Sequence, residues 1–322
     1  MRAIVQDAYG TADVWHLAEV DQPEIAANEA LVQVHAAGLD RGTWHVMAGL
    51  PYLGRVAMGF RIPKNPVPGL DLAGTVAAVG PAVTRFTVGD AVYGIGRGSF
   101  AEYAAAREDK LAPKPANLAF EPAAVVPVSG LTAIQGLTDV GHVEAGRQVL
   151  IVGASGGVGT YAVQIAKALG AEVTGVCSTA KVELVRSLGA DHVIDYSRDD
   201  FADGAHRYGL VLDIGGNATL SRLRRALTAN GTLVIVGGEG GGRWIGGIDR
   251  QLRALAWSPF LRQRLTSFIA NERSVDLDRL TGLIDAGTVT PSVDRVYPLA
   301  EAADAMRHLE AGHARGKIAL RI

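Results

Sequence analysis

The stretch VLIVGASGGVGTYAVQIAKALGAEVTGVCSTAK, residues 149–181, passes from an apolar run through a cluster of glycines into a helical pattern. The run 149–152 is short, aliphatic and bounded by glycine, which is typical of a parallel strand covered on both faces. Apolar residues then recur at helical spacing to Leu169, and Gly170 predicts the end of the helix. A second apolar run follows at 173–177. The segment therefore predicts a β-α-β crossover of about 30 residues.

The glycine turn inside this crossover has a dinucleotide-binding pattern. It is a G-x-G-x-x-G fingerprint with alanine in the first position, Ala154-Ser155-Gly156-Gly157-Val158-Gly159. Gly156 lets the backbone approach a pyrophosphate, and Gly159 lets the helix pack closely on the strand. The unpaired amides of the first helical turn face the anion. A bare fingerprint is also compatible with a simple tight turn, but its position in a crossover predicts that these six residues bind a cofactor.

Composition excludes several classes of protein. The chain has 322 residues, 48% of them hydrophobic, so it can bury a large core, and its length favours two domains. Lys and Arg (31) nearly balance Asp and Glu (33), which leaves no electrostatic footprint for nucleic acid. The single cysteine, Cys177, excludes an internal disulfide and a thiolate cluster for zinc. With neither a signal-like run nor an apolar stretch of about 18 residues, we expect a cytoplasmic protein without membrane contact.

The pattern of apolar runs changes near residue 122. Before it, strand-like runs at 30–37, 74–79, 91–95 and 100–105 alternate with glycine and proline turns, which predicts a β-rich domain. After it, strands and helices alternate, which predicts a doubly wound parallel sheet. Its further elements are predicted as helix 181–188, strand 192–195, strand 210–214, helix 218–227 and strand 232–236. The tail is predicted to hold helix 276–285, strand 293–297, helix 299–311 and strand 317–320.

Four motifs together resemble the medium-chain dehydrogenase/reductase superfamily. They are VPVSGLTA at 126–133, GASGGVGTYAVQIAK at 153–167, LGADHVIDY at 188–196 and RGKIAL at 315–320. The resemblance covers essentially the whole chain and is greatest to the zinc-independent quinone oxidoreductase branch, which includes zeta-crystallin. It implies an α/β protein with two domains. These are a GroES-like β-rich substrate domain, 1–121 completed by about 286–322, and a doubly wound Rossmann domain, 122–285.

The resemblance also tests for zinc residue by residue. The zinc alcohol dehydrogenases of this superfamily carry a cysteine where AAGLD places Asp40, and histidine and glutamate where PGLDLAG places Leu70 and Asp71. The lobe of four structural cysteines is absent from the sequence as well. Carboxylates can bind zinc, but the soft and imidazole ligands that normally hold it are gone. No metal site is predicted.

The segment LDRGTWHVMAGLPY, 39–52, resembles the part of the family that lines the substrate cleft. Asp40 stands where relatives have asparagine, His45 where they have a tyrosine, and Tyr52 lies near a second aromatic position. These three residues are the catalytic candidates, with His45 as a possible proton donor to an enolate. The alternative is that His45 is a hydrogen-bonded residue of a short helix and that Asp40 is structural.

The residues after the second strand of the crossover bear on the choice of cofactor. An NAD enzyme usually carries Asp or Glu there to bind the ribose hydroxyls, whereas this chain reads Cys177-Ser178-Thr179-Ala180-Lys181. In NADPH-using relatives a lysine and a tyrosine fifteen residues later bind the 2′-phosphate, and Lys181 and Tyr196 keep that separation. NADPH is therefore the predicted cofactor, selected by Ser178, Lys181 and Tyr196. A solvated lysine and a packed tyrosine are the alternative reading.

Further contacts and surfaces follow from the resemblance. The additional cofactor contacts would come from Thr132, Asn217, Val236, Gly237, Gly238 and Lys317.

The glycine-rich segment 236–247 is either a mobile cover over the substrate cleft or a flexible connector. The basic amphipathic segment 250–265 is expected to be a lid or an interface rather than a membrane surface. A homodimer joined through the outer edge of the Rossmann sheet is expected as well.

The function that these features predict is hydride transfer from NADPH to a quinone or an α,β-unsaturated carbonyl, without zinc. Such small-molecule acceptors already have an electron-poor carbon, so they need orientation and hydrogen bonds rather than a metal. Two alternatives stay open. One is an alcohol or aldehyde dehydrogenase of the same superfamily, and the other is a non-catalytic, crystallin-like NADPH-binding protein.

Overall fold

The computed structural model describes residues 1–238 and 242–322 and divides into two compact units. The first unit comprises residues 1–131, 272–287 and 291–322, and the second comprises 132–271 and 288–290. The sequence placed the domain boundaries ten residues earlier at the first junction and fourteen later at the second, and that division into folding domains remains a proposal.

The strands and helices of the described residues are as follows. The strands are β1 (Arg2–Gln6), β2 (Trp15–Glu19), β3 (Glu29–Leu39), β4 (Asp71–Val79), β5 (Ala91–Ile95), β6 (Tyr103–Arg107), β7 (Leu111–Pro113), β8 (Gln148–Val152), β9 (Glu172–Cys177), β10 (His192–Asp195), β11 (Tyr208–Asp213), β12 (Leu227–Ile235), β13 (Arg264–Ser267), β14 (Val293–Pro298) and β15 (Lys317–Arg321). The α-helices are α1 (Arg41–Ala48), α2 (Arg55–Met58), α3 (Phe120–Ala124), α4 (Pro127–Gln135), α5 (Gly157–Ala168), α6 (Val182–Ser187), α7 (Leu220–Ala226), α8 (Ile248–Trp257), α9 (Ser274–Asp285) and α10 (Ala302–Glu310). Each strand and helix predicted after residue 122 is present, with ends that differ by a few residues.

The sheet of the first unit runs in the order β14-β15-β3-β4-β5-β7, with β6 also paired to β3. The long strand β3 is antiparallel to both of its neighbours β15 and β4, with Leu39 opposite Ile318 and Ala37 opposite Leu72. Because of this pairing, the carboxyl end of β3 lies beside the first residues of β15 and β4. The fold therefore brings Asp40, Lys317 and Asp71 to one end of three adjacent strands.

Helix α9 belongs to the first unit, although the sequence assigned it to the Rossmann domain. Its residues Leu277 and Leu280 are fully buried, and the hydroxyl of Tyr93 on β5 donates a hydrogen bond of 2.8 Å to the Leu277 carbonyl. Tyr93 is itself fully buried, and its hydroxyl also lies 3.0 Å from the Thr281 hydroxyl of the same helix, so α9 satisfies the hydrogen bonding of a buried group. The apolar face of α9 is thus used by the β-rich unit.

The sheet of the second unit is entirely parallel and runs in the order β10-β9-β8-β11-β12-β13. This is the order of a doubly wound dinucleotide-binding fold, in which the chain reverses direction across the sheet between the first and fourth strands. Val149, Leu150 and Ile151 of the central strand β8 are fully buried, as the aliphatic run predicted. The predicted doubly wound sheet is therefore confirmed.

The basic segment 250–265 contains most of α8 and the start of β13. Strand β13 was not predicted, because its four residues mix Arg264 with Leu265, Thr266 and Ser267 and form no apolar run. It is an edge strand of the sheet, and the predicted homodimer through the outer edge remains a proposal. Leu252 and Phe260 of this segment are exposed, at 60% and 88%. Among the described helices, none is long and apolar enough to cross a membrane.

Candidate active site

The glycine turn after β8 is shaped by close backbone contacts. Gly153 has a φ of +89°, a left-handed conformation that favours glycine. A Cβ on Gly159 would lie 2.1 Å from the Gly153 carbonyl oxygen, so α5 can pack this closely on the turn only with glycine there. A Cβ on Gly156 would meet nothing nearer than the same oxygen at 3.5 Å. Gly159 is therefore required by packing, whereas Gly156 borders open space.

The start of α5 fits an anionic group. Gly156 is the N-cap of the helix and contributes no side-chain cap, so the amides of the first turn, at Gly157 and Val158, have no capping group from the N-cap residue. Ala154 and Ser155 are buried beneath the turn, at 0% and 6% exposure. The open space at Gly156 and the positive end of the helix dipole are what a pyrophosphate requires.

The three residues predicted to select the 2′-phosphate come together at one edge of the sheet. Strands β9 and β10 are parallel neighbours with Cys177 opposite Asp195, and the amide of Tyr196 donates a hydrogen bond of 3.1 Å to the Cys177 carbonyl. Ser178 and Tyr196 therefore follow directly on two adjacent strand ends. Lys181 closes the 3-10 turn that starts after Ser178 and leads into α6.

Asp195 ends β10 and was not predicted as part of this edge, because the acid that binds the ribose in NAD enzymes is expected at the end of β9. Its carboxylate accepts hydrogen bonds from the hydroxyls of Thr179 (2.5 Å) and Ser197 (2.7 Å), and Arg198 lies 3.6 Å away. These hydrogen bonds, that of Thr179 foremost, hold the pKa of Asp195 below its usual value. The charged form of Asp195 is thus stabilised by two hydroxyls and a nearby arginine.

The loops after β11 and β12 lie at the carboxyl edge of the same sheet, where doubly wound folds bind their ligands. The amides of Val236 and Gly237 both donate to the Asp213 carbonyl, at 2.9 and 3.1 Å. A Cβ on Gly237 would lie 2.0 Å from the Ile214 carbonyl oxygen, which requires glycine at this crossing of two loops. Asn217 is exposed on the first of these loops.

Two other predictions for the cofactor side have less structural detail. Thr132 is half-buried on α4 and is the first residue of the second unit along the chain. Gly238 is half-buried and is the last described residue before the gap at 239–241. The centre of this segment, residues 239–241, lies outside the described residues, and so does the prediction that the segment is a cover or a connector.

The substrate-side candidates occupy α1 and the turn after it. Asp40 is the N-cap of α1, where its Oδ1 accepts hydrogen bonds from the Thr43 amide (2.8 Å) and hydroxyl (3.0 Å). Its Oδ2 is buried and has no hydrogen-bonding partner among the described residues. His45 places Nδ1 2.8 Å from the Leu50 carbonyl oxygen, to which it donates. Tyr52 follows this turn and starts a short 3-10 helix.

Arg55 was not predicted and organises the ring of Tyr52. Its guanidinium lies 4.8 Å from the centre of the Tyr52 ring and 4.4 Å from that of Tyr9, so the cation sits against two aromatic faces. Its Nε donates a hydrogen bond of 2.8 Å to the Gly49 carbonyl. An arginine three residues after a tyrosine is not by itself a recognisable sequence signal. The second ring, that of Tyr9, comes from a distant part of the chain and could not be paired with Arg55 from the sequence.

Asp71 and Lys317 form a buried ion pair at the end of β3. Their side chains are 0% and 2% exposed, and Nζ lies 3.4 Å from Oδ2. The other carboxylate oxygen of Asp71 accepts a hydrogen bond of 2.9 Å from the Val128 amide. Burial raises the pKa of Asp71 to about 7, the Lys317 ammonium opposes the rise, and the charge of Asp40 adds to it. Lys317 was predicted to contact the cofactor; in the structure its ammonium is engaged by Asp71.

The residues at the positions of the catalytic zinc ligands do not fit a zinc ion. Asp40 caps a helix, Leu70 has no donor atom, and Asp71 already faces an ammonium. Zinc sites normally combine imidazole or thiolate ligands with at most one carboxylate. Within residues 1–238 and 242–322, no group of three or more His, Cys, Asp or Glu side chains could hold a metal ion.

Comparison with known proteins agrees with this geometry over the whole chain. Residues 26–116 match the alcohol dehydrogenase GroES-like domain, and residues 188–320 match the family described as zinc-binding dehydrogenase. The chain is 31% identical to the chloroplast envelope quinone oxidoreductase homolog of Arabidopsis thaliana, over 99% of this chain and 97% of that protein. It is 33% identical to the chloroplastic NADPH-dependent alkenal/one oxidoreductase of the same plant, over 99% of this chain and 78% of that protein.

A solved structure gives the same result. The quinone oxidoreductase from Coxiella burnetii is similar with a TM-score of 0.88 and 28% sequence identity, covering 100% of this chain and 99% of that one. Together, the GroES-like unit, the parallel Rossmann sheet with its glycine turn and the full-length similarity place the chain in the quinone oxidoreductase-like branch of the medium-chain dehydrogenase/reductase superfamily, as an NAD(P)H-dependent oxidoreductase.

Proposed function

We propose that the protein is a zinc-independent oxidoreductase that uses NADPH to reduce a quinone or an α,β-unsaturated carbonyl. The observation that carries this proposal is the Asp71–Lys317 pair. Where the zinc alcohol dehydrogenases hold a metal, this chain buries an ammonium against a carboxylate. A simple alcohol needs its oxygen metal-bound or deprotonated before hydride leaves carbon, and the residues at this position offer no Lewis acid for that step.

Quinones and enones do not need such an activation. NADPH, when bound, supplies the hydride. The chain then has to hold the acceptor in place and to donate hydrogen bonds to the oxygen on which charge develops. The segment from Asp40 to Tyr52 is the proposed source of these contacts.

His45 is proposed to assist rather than to carry this reaction. A carbonyl oxygen can only accept, so the contact with Leu50 requires a proton on Nδ1. In the neutral ring Nε2 is then an acceptor, and His45 could give up a proton there only as an imidazolium. Quinone reduction can take its protons from solvent, and only the enolate from an enone needs a proton placed nearby.

The choice of NADPH over NADH is proposed from Ser178, Lys181 and Tyr196. The turn between β8 and α5 would hold the pyrophosphate, which both cofactors share, so it does not discriminate between them. The edge formed by the ends of β9 and β10 presents a hydroxyl, an ammonium and a phenol, while the carboxylate of Asp195 is bound by Thr179 and Ser197. The relative named as a quinone oxidoreductase homolog supports the proposed acceptor, and the relative named as an NADPH-dependent alkenal/one oxidoreductase supports both the acceptor class and the cofactor.

Turnover and metal content test the reaction. We expect the purified protein to oxidise NADPH with members of a panel of quinones and enones, and to contain no stoichiometric zinc by elemental analysis. The alcohol dehydrogenase alternative would be restored by a different result: the protein oxidises simple alcohols with NADP⁺, contains one zinc per chain, and loses both the zinc and the activity on chelation. Tight NADPH binding without turnover of any acceptor would instead indicate the non-catalytic protein.

The substitution Lys181→Ala tests the choice of cofactor. A charge-assisted hydrogen bond contributes about 1.5–3 kcal/mol, and each 1.4 kcal/mol is about tenfold in affinity, so NADPH should bind roughly ten- to a hundredfold more weakly. NADH lacks the 2′-phosphate and should bind almost unchanged. Titration of both cofactors against wild type and variant gives four dissociation constants. A wild type that prefers NADH, or an equal loss for both cofactors, would contradict the assignment.

A further inference from the structure

Arg250 joins the two loops at the carboxyl edge of the Rossmann sheet. It lies in the first turn of α8 and is 7% exposed, although its neighbours in the basic segment are largely exposed. Its Nη1 lies 2.6 Å from the Asp213 carboxylate and donates a hydrogen bond of 2.8 Å to the Ala218 carbonyl. Its Nη2 donates a hydrogen bond of 2.7 Å to the Gly237 carbonyl. One guanidinium thus contacts the end of β11, the loop after β11 and the loop after β12.

Asp213 completes this connection from the strand. Its side chain is fully buried, its Oδ1 accepts a bond of 3.3 Å from the Gly216 amide, and its own carbonyl accepts from the amides of Val236 and Gly237. Burial raises the pKa of Asp213, and the Arg250 guanidinium opposes that rise. Asp213 and Arg250 therefore determine together how the two loops are oriented at this edge.

The contact with Gly237 fixes the direction of the next amide. In a trans peptide the carbonyl of one residue and the N–H of the next point in opposite directions. Because the Gly237 carbonyl points at Arg250, the N–H of Gly238 points away from it. The Gly238 carbonyl is held in turn by a bond of 3.2 Å from the Gly247 amide, so both peptide planes around Gly238 are constrained.

We propose that Arg250 is a positioning residue for the cofactor: by holding the Ala218 and Gly237 carbonyls, it orients the Gly238 amide and the Asn217 loop to bind the part of the nicotinamide cofactor that NADH and NADPH share. The inference rests on the proposed placement of the cofactor along residues 217 and 236–238. It does not depend on the preference for NADPH or on the identity of the acceptor.

An arginine suits this role better than a lysine would. The planar guanidinium presents several N–H donors in fixed directions, and here two nitrogens reach one carboxylate and two carbonyls. Its Nε has no hydrogen-bond partner among the described residues, so the Nη1 and Nη2 contacts hold the group. A lysine could keep the pairing with Asp213 from one nitrogen but would lose the geometry that connects the loops.

The test uses three variants of the whole protein. Arg250→Lys keeps the charge, and the double variant Asp213→Asn/Arg250→Gln removes both charges so that no unpaired charge is left buried. Arg253→Met is the matched control, since Arg253 lies one turn later on α8, is 59% exposed and, within the described part of the chain, bonds to Asp249 of its own helix. For each variant we would measure the dissociation constants of NADPH and NADH, kcat, and the midpoint of unfolding.

The double variant should bind both cofactors roughly tenfold more weakly and by the same factor, with a lower kcat. Arg250→Lys should fall between the double variant and the wild type, and Arg253→Met should bind both cofactors within about twofold of the wild type. A double variant with a lowered unfolding midpoint but wild-type dissociation constants and kcat would show a purely structural role and overturn the proposal. A loss confined to NADPH would overturn it as well. A wild type that reduces neither quinones nor enones would refute the proposed acceptors, whereas the two cofactor titrations would still decide the role of Arg250.

Discussion

The GroES-like unit and the Rossmann unit each bury a carboxylate against a cation, but the two pairs are built differently. In the Rossmann unit the Arg250 guanidinium lies 2.6 Å from Asp213 and also donates to two backbone carbonyls. In the GroES-like unit the Lys317 ammonium lies 3.4 Å from Asp71. The first pair connects separate loops, whereas the second joins the first residues of β4 and β15, which flank β3 in one sheet.

The chemistry of the two cations explains this difference. A guanidinium is a rigid fork that can satisfy several acceptors at once, whereas an ammonium is a compact charge on a flexible stem. The GroES-like unit also places a second carboxylate, that of Asp40, near the pair, and its negative charge contributes to the raised pKa of Asp71. An ion pair of the first kind fixes geometry, and one of the second kind neutralises charge and can exchange a proton near neutral pH.

The largest effect should come from Arg250→Met. Removing one member of a buried pair typically costs about 3–5 kcal/mol, because it leaves an uncompensated buried charge. Here the carbonyls of Ala218 and Gly237 lose their donor as well. Urea unfolding at pH 8 measures the loss. Arg253→Met, an exposed substitution on the same helix, should change stability by less than about 0.5 kcal/mol. Equal stabilities for the two variants would show that the pair holds nothing together.

Lys317→Met should cost less, and its cost should depend on pH. At pH 8 the variant leaves Asp71 buried without a cation, so the loss should approach the range of about 3–5 kcal/mol. At pH 5.5 Asp71 can be neutral, because its pKa is already raised to about 7 with the lysine present, and the loss should shrink.

The double variant Asp71→Asn/Lys317→Met is the control for this substitution. It removes both charges, so at pH 8 it should be more stable than Lys317→Met alone. A cost of Lys317→Met that is the same at both pH values would contradict the interpretation of the pair as one that exchanges a proton.

The remaining prediction is a change in the pH dependence of stability. The pKa of Asp71 is raised from 3.8 to about 7, so between these values the folded state binds this proton more tightly than the unfolded chain does. The corresponding contribution to stability is present below the unfolded value and is lost as the pH rises towards 7. Asp71→Asn should remove this decline, so that the difference in unfolding free energy between variant and wild type shifts in favour of the variant from pH 4 to pH 7. A constant difference over this range would show that Asp71 does not titrate there.

The sequence predicted the Rossmann unit well because its signals are local. An aliphatic strand, a glycine turn and an amphipathic helix follow one another within 149–181, and each of them is visible in the residues themselves. The edge strand β13 escaped because Arg264–Ser267 has no apolar run, and its place in the sheet depends on pairing with β12. The packing of α9 on the β-rich unit was not visible in the sequence for a similar reason, since its partner Tyr93 lies far away along the chain.

The candidate site shows the same limit. The segment around Asp40 and the residues from Ser178 to Lys181 could be located by motif, because each lies within a few residues of a glycine or a strand that the sequence itself shows. The partners of Asp71 and Arg250 could not be located in this way. Lys317 and Asp213 lie far from them along the chain and contact them only in the folded protein. Arg250 was predicted as part of a basic amphipathic lid or interface, because a charged residue next to leucines gives no sign that it is the one facing inwards.

The glycine turn has a consequence for how mutations at this site would be tolerated. Every residue other than glycine brings a Cβ, and at Gly159 that atom would collide with the Gly153 carbonyl oxygen, whereas at Gly156 it would have ordinary clearance within the protein. In a library of single substitutions, position 159 should therefore be depleted even when cells are selected only for folded protein. Position 156 should accept alanine under that selection and reject it when growth requires the enzyme. Two glycines of one turn, three residues apart, would thus be selected for different reasons: Gly159 for folding and Gly156 for cofactor binding.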